Sequence, residues 1–148
     1  MNEIERKFLV SGDFSKEISK SIIIKQAFLS RDPERIVRVR TANEKAFITI
    51  KGKSTDDGLS RYEFETEIPF TDAQELFKIC EPGEIDKTRN IVFYKNQKFE
   101  VDVFRGKNEG LILAEIELKT IYDEIEKPEW LGKEVTGDDK YYNSNLSK

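Results

Sequence analysis

The sequence contains no histidine and only one cysteine. The first absence excludes Ser-His-Asp and Cys-His catalysis, and any zinc site that uses histidine. The second excludes an internal disulfide and a cysteine cluster. The lone Cys80 falls in the apolar stripe of a predicted helix, which predicts a buried, inert thiol. No apolar run approaches the roughly 20 residues needed to cross a membrane. The charged start of the chain, from Glu3 onward, predicts no signal peptide. These features predict a cytoplasmic protein with no membrane partner. No linker, internal repeat or low-complexity tract divides the chain. One domain over residues 1–148 is therefore expected, long enough to bury a real core.

What is abundant is charge. Charged residues make up 36% of the chain, against about 25% in an average domain. The net charge of −4 disfavours a nucleic-acid partner, although a local basic groove stays open.

Hydrophobic periodicity assigns the elements. "MNEIERKFLV" alternates as a strand. "SGDFSKEISKS" reads as a short polar helix or loop, with Asp13 a candidate cap. "IIIKQAFLS" is β-branched and reads as a strand. "RIVRVRT" and "KAFITIKGK", separated by "ANE", form a hairpin. "RYEFETEIPF" is a further strand. "TDAQELFKICEPG" is a helix with a Thr71–Gln74 capping box and an Ala73, Leu76, Phe77 and Cys80 stripe. Three strands follow: "DKTRNIVFY", "QKFEVDVFRG" and "LILAEIELK". "TIYDEIEKPEW" reads as a second short helix ending before Pro128, and the tail is polar. About eight strands joined mostly by hairpins predict an antiparallel α+β architecture or a barrel.

Strand side chains alternate between faces. Glu3, Glu5 and Lys7 therefore share one face, and Ile4, Phe8 and Val10 the other, joined by Arg6. The same split recurs down the chain. Arg38 and Arg40 oppose Val37 and Val39, and Thr49 and Lys51 oppose Ile48 and Ile50. Arg61, Glu63, Glu65 and Glu67 oppose Tyr62, Phe64 and Ile68. Lys87 and Arg89 share a face, Glu100 and Asp102 oppose Val101 and Val103, and Glu115, Glu117 and Lys119 oppose Ile116 and Leu118. An ordinary half-solvated sheet would place such faces in water. Yet like charges at i and i+2 repel unless an opposite charge lies between them. A closed barrel with the charged faces inward and the apolar faces covered by helices and tail supplies both signs. Such a lumen suits a polyphosphate with a divalent ion. Arginine forks match phosphate oxygens, and carboxylates select hard ions such as Mg²⁺ or Mn²⁺.

These same residues carry a resemblance. "EIERK" resembles the ExExK signature of the CYTH superfamily, the triphosphate tunnel metalloenzymes. The likeness continues in order through "VRVR", "TIK", "GLSRYEFE", "DKTR", "FEVDVF" and "AEIE". It ends in "PEWLGKEVTGDDKYYN", similar to the family's P-x-W-x-G-x-E-V-T segment. It covers essentially the whole chain. The resemblance implies an eight-stranded antiparallel β-barrel tunnel with a charged lumen and helices packed outside. It implies that Glu3, Glu5 and Glu117 hold Mg²⁺ or Mn²⁺, with Glu115 beside them. Arg38, Arg40, Lys51 and Arg89 would bind phosphates, together with Arg61 and Lys140. Glu63, Glu65 and Asp102 would orient those cations or bind a second metal. Lys7 and Lys87 would position or deprotonate the attacking water. Bacterial relatives often read "QGYL" where this chain has "QAFL". Phe28 thus stands where the family has tyrosine, while Gln26 on the same face is retained.

The leading expectation is a metal-dependent triphosphatase acting on inorganic triphosphate, as a monomer or homodimer, with a small-molecule partner only. The chain has no aromatic-rich insertion that would hold a base. A class IV adenylyl cyclase would use the same cradle but needs an adenine pocket. A non-catalytic polyphosphate- or nucleotide-binding module is the third reading. Trp130 is expected to pack on the outer wall.

Overall fold

The computed structural model describes residues 2–148. Its strands are β1 (Asn2–Val10), β2 (Ile18–Ser30), β3 (Arg35–Ala42), β4 (Lys45–Gly52), β5 (Ser60–Ile68), β6 (Ile85–Tyr94), β7 (Gln97–Arg105), β8 (Ile112–Glu117) and β9 (Leu131–Glu134). The helices are α1 (Phe70–Ile79) and α2 (Asn143–Leu146). The order β5-β4-β3-β2-β6-β7-β8-β1 closes because β1 also pairs with β5. This is the expected eight-stranded antiparallel barrel, and closure removes the exposed edges of an open sheet.

The first strand is the seam. Residues 2–4 pair with β5, and residues 5–9 pair with β8. Phe8 pairs with Ala114 on one side and with Glu134 of β9 on the other. One edge of β1 is therefore shared, with β5 along its start and β9 along its end. Hairpin chemistry sets the remaining registers. Lys95 and Asn96 both hold positive φ, 48° and 64°, as a type I′ turn requires. Asn43, at φ 54°, exchanges two hydrogen bonds with the Ile23 backbone, donating its N–H at 2.9 Å and accepting on Oδ1 at 3.0 Å.

The outward faces are covered unevenly. Phe8, Val92, Phe99, Val101, Ala114 and Ile116 pack beneath Trp130. The indole meets Phe99 edge-on at 5.3 Å and Phe14 at 6.1 Å, so it packs on the outer wall as expected. Helix α1 lays Ala73, Leu76 and Phe77 over Val39 and Ala46. Among the described residues Tyr62 and Phe64 on β5 are left largely open, 53% and 47% exposed.

Three expectations change. The Thr71–Gln74 capping box does not form: α1 starts at Phe70, Pro69 occupies the cap position, and no side chain bonds the first turn. The Pro69 carbonyl accepts from Asp72 and Ala73 instead, since proline presets the backbone angle that enters a helix. Cys80 lies just past the end of α1 and is half-buried against that cluster. The stretch 120–130 is not a helix. The Asp123 carboxylate captures the Lys119 and Thr120 N–H groups and the Thr120 hydroxyl, a local alternative that competes with helical hydrogen bonding.

Nor is the interior polar throughout. Leu9 continues the face of Glu3, Glu5 and Lys7. Phe104 continues Glu100 and Asp102, Ile85 continues Lys87 and Arg89, and Leu113 continues Glu115 and Glu117. These four meet Val135, Tyr141 and Leu146 in one cluster. The charged rows therefore run into an apolar plug, closed by the C-terminal segment. Among the described residues no helix is long and apolar enough to cross a membrane.

Truncating Trp130 removes the lid over the largest outer cluster. Trp130→Ala is expected to lower unfolding free energy by about 3–5 kcal/mol, read by urea denaturation. Tyr122→Ala, at a side chain 85% exposed, is expected to change it by less than about 0.5 kcal/mol.

Candidate active site in the barrel lumen

Strand register turns the charged rows into opposed walls. Arg38 faces Thr49, which faces Glu65; Lys51 faces Glu63; Arg61 faces Glu3; and Arg89 faces Asp102. The contacts follow. Glu65 accepts from Arg40 at 2.9 Å and from the Thr49 hydroxyl at 2.7 Å, and Arg38 lies 3.8 Å away. Lys51 bridges Glu3 at 3.0 Å and Glu63 at 3.2 Å. Arg89 forks onto Asp102 with two bonds of 2.8 Å, and Lys87 donates to the same carboxylate at 2.7 Å. Two pairings are of like charge: Glu5 lies opposite Glu117, and Glu100 opposite Glu115. Like charges directly across a strand pair are destabilising, and these carboxylates call for a cation.

The walls enclose a cavity of about 210 Å³. β1 contributes Glu3, Glu5 and Lys7 to its lining. Arg38, Arg40, Lys51 and Arg89 line it from β3, β4 and β6. Arg61, Glu63 and Glu65 come from β5, and Glu115 and Glu117 from β8. The sequence-predicted set is thus largely brought together. Four members stand elsewhere. Lys87 and Asp102 are buried behind the wall, where Asp102 grips Arg89 from the rear and Lys87 bonds the same carboxylate. Gln26 is fully buried, facing Arg40 and Ile85 across the neighbouring strands, with both amide atoms unpartnered. Lys140 is exposed and does not line the cavity. Phe28 does line it, as an apolar wall.

Six further lining residues have no role assigned from the sequence: Ile36, Thr49, Glu100, Tyr142, Asn143 and Ser144. Glu100 was seen only as a member of a charged face. Tyr142, Asn143 and Ser144 arrive from the segment read as a polar tail. The aromatic pair Tyr141-Tyr142 in that polar stretch was the available signal.

Burial and crowding shift the ionisations. Burial, followed by the charges of Arg40 and Arg89, pushes the Arg38 guanidinium down to about 10. Arg40 is lowered for the same reasons, burial first and then Arg89. These arginines are short of negative charge, and their buried Nε atoms have no partner. On the opposite wall, burial and the Glu115 charge raise the Glu5 carboxyl well above its ordinary range. Burial works against ionised Glu115 too, but Lys7 and its bond with Glu5 hold it low. Burial lowers Lys87 to about 8, with Asp102 opposing the shift and Arg89 adding to it. Burial is thus the dominant cause, ahead of repulsion by Arg89.

Among the described residues no three carboxylate, cysteine or histidine side chains converge as a ready coordination shell. The donor chemistry still fits a hard divalent ion. Mg²⁺ is commonly held by one or two carboxylates, with waters and substrate oxygens completing the shell. Glu5, Glu115 and Glu117 crowd one another on adjacent strands.

The chain matches the CYTH domain family over residues 1–148. It is 46% identical to an inorganic triphosphatase of Acetivibrio thermocellus, over 99% of this chain and 93% of that protein. An inorganic triphosphatase of Nitrosomonas europaea is 34% identical, over 99% of this chain and 97% of the other. A crystal structure of an inorganic triphosphatase superimposes with a TM-score of 0.71 at 31% identity, covering 98% of this chain and 93% of that one. Fold, lumen and sequence agree, and the chain belongs to the CYTH family.

Proposed function

We propose that this CYTH protein hydrolyses inorganic triphosphate in the barrel lumen. One observation carries the reading. Arg38, Arg40 and Arg89 line one cavity, where Arg40 and Arg89 add to the depression of Arg38 by burial and Arg89 to that of Arg40, Arg89 itself being held charged by Asp102, while a wall of carboxylates stands opposite. A linear polyanion relieves the first strain, and a divalent cation the second. The two relatives named inorganic triphosphatases support the same reading.

In this proposal Arg38, Arg40, Lys51 and Arg89 bind phosphate oxygens, and Arg61 assists. The substrate displaces Glu65 and Glu63 from Arg40 and Lys51, their partners in the absence of ligand. Asp102 keeps the Arg89 fork aimed inward. Mg²⁺ or Mn²⁺ would be held by Glu5, Glu115 and Glu117, with Glu3 joining if it leaves Lys51. A divalent ion there neutralises charge developing on the phosphate oxygens. Lys7 lines the cavity 4.0 Å from Glu115 and orients the attacking water. Lys87 bonds Asp102 behind the wall and does not line the cavity, so the water-positioning role expected of both lysines falls to Lys7.

Three outcomes follow. With Mg²⁺ or Mn²⁺, inorganic triphosphate is expected to give a higher kcat/KM than ATP, scored by orthophosphate release. Cyclic AMP as the main product from ATP overturns the reading in favour of a cyclase.

Glu5→Gln removes a carboxylate whose charge burial and Glu115 penalise. It is expected to raise the melting temperature of the metal-free protein while losing the activation by divalent ion. Unchanged activation in that variant, or full wild-type activity in EDTA, sinks the metal assignment.

Lys87 binds its proton less tightly when folded, at about 8, than the ordinary 10.5. Between those values the unfolded chain holds more protons, so stability rises with pH. The cost is fully present below about pH 8. The slope from this group is at most about 1.4 kcal/mol per pH unit. Lys87→Met should flatten that rise in urea denaturation between about pH 8 and 10.

A further inference from the structure

The C-terminal segment is moored inside the fold rather than trailing from it. Asn108 donates to the Leu146 carbonyl at 2.9 Å, and Arg31 donates to the Ser147 hydroxyl at 3.0 Å. A methyl group on Gly83 would fall 1.8 Å from the Ser147 carbonyl oxygen, so the segment sits directly on that backbone. Lys7 reaches from β1 to donate to the Tyr141 carbonyl at 3.0 Å. These contacts fix the next residue, Tyr142, in the cavity wall.

There its ring meets two cations. Lys7 Nζ lies 5.8 Å and the Arg61 guanidinium carbon 5.7 Å from the ring centroid. Both cations have only loose ion pairs. The Lys7–Glu115 distance is 4.0 Å, and the Arg61–Glu3 distance is 3.8 Å. The Tyr142 hydroxyl faces the Gly58 loop, where a methyl on Gly58 would lie 3.4 Å from it. The ring, not the hydroxyl, is therefore what the cations contact. An aromatic face attracts a cation without consuming its hydrogen-bond donors as a carboxylate would. It also offers no negative charge to repel an incoming polyanion.

We propose that Tyr142 is a positioning residue, holding Lys7 and Arg61 toward the lumen with the Arg61 donors, and the Lys7 donors not spent on the Tyr141 carbonyl, free for a phosphate chain. The inference rests on the reading of the lumen as a polyphosphate site, and it deepens that reading by assigning a function to the C-terminal segment. The ring acts through the two cations and does not itself touch the reacting atoms.

The test measures tripolyphosphate binding by calorimetry in EDTA, where the metal reading expects no turnover, alongside steady-state hydrolysis with divalent ion. Tyr142→Leu keeps the bulk and loses the ring. It is expected to weaken binding about five-fold, the middle of the range for a partly desolvated cation–π contact. Tyr142→Phe restores what Tyr142→Leu loses. In an Arg61→Gln background, Tyr142→Leu is expected to cost less than about two-fold, because part of its partner is gone. In hydrolysis the Arg61 share appears in KM and the Lys7 share in kcat. Should Tyr142→Leu fail to fold, Tyr142→Met makes the same comparison. Wild-type affinity in Tyr142→Leu, equal losses in the Leu and Phe variants, or a full five-fold loss in the Arg61→Gln background each overturns the inference. Ring-dependent binding without hydrolysis of triphosphate leaves this inference standing and removes the proposed reaction instead.

Discussion

Closure of the barrel depends on three residue pairs, Asn2–Tyr62, Glu3–Arg61 and Ile4–Ser60. The middle pair is also electrostatic, with Arg61 3.8 Å from Glu3 and Lys51 3.0 Å from the same carboxylate. Every inward charge owes its environment to that seam. A one-residue slip would turn the whole of β1 inside out. Glu3, Glu5 and Lys7 would then face solvent, and Ile4, Arg6 and Phe8 the lumen. The seam is short because β1 serves β5 and β9 on one edge. The strand that brings acidic residues to the site is thus held by three neighbours, none of which spans its full length.

Buried charge is costly unless paired, and a buried pair is weak evidence of stability. The lumen is therefore poor ground for the energy that holds the protein together. That energy resides in the apolar faces turned outward, under Trp130 and α1, and in the plug of Leu9, Ile85, Phe104 and Leu113. The division separates folding from chemistry. The outer shell keeps the strands in register, and the register holds the arginines against one another despite their repulsion.

The alternation of charged and apolar residues made the barrel and most of its lumenal residues legible in the sequence. Arg38 beside Arg40, or Glu115 beside Glu117, makes physical sense only if the partner strands are known to return, and the hairpin turns supplied that. What stayed hidden was set by contacts distant in the chain. Lys87 and Arg89 share one face and look alike in sequence. Only the barrel's depth reveals that Arg89 lines the cavity while Lys87 is sealed behind Asp102. Likewise Leu9 and Leu113 continue the charged faces, and no local pattern says that the lumen changes character there. The stretch 120–130 has enough apolar spacing to suggest a helix, but Asp123 diverts the backbone. Tyr142 shows in the sequence only as half of an aromatic pair in a polar stretch, because its place depends on moorings at Arg31, Gly83 and Asn108.

The apolar plug also gives the lumen a direction. A tube open at both ends could let a chain of phosphates thread through and be cut anywhere along its length. Here one end is packed with hydrocarbon that offers an anion no partner, so a guest advances only as far as the last arginine. Whatever is attached to its far end stays behind, nearer the solvent. The molecule is built less as a passage than as a socket, and a socket measures its guest from the tip.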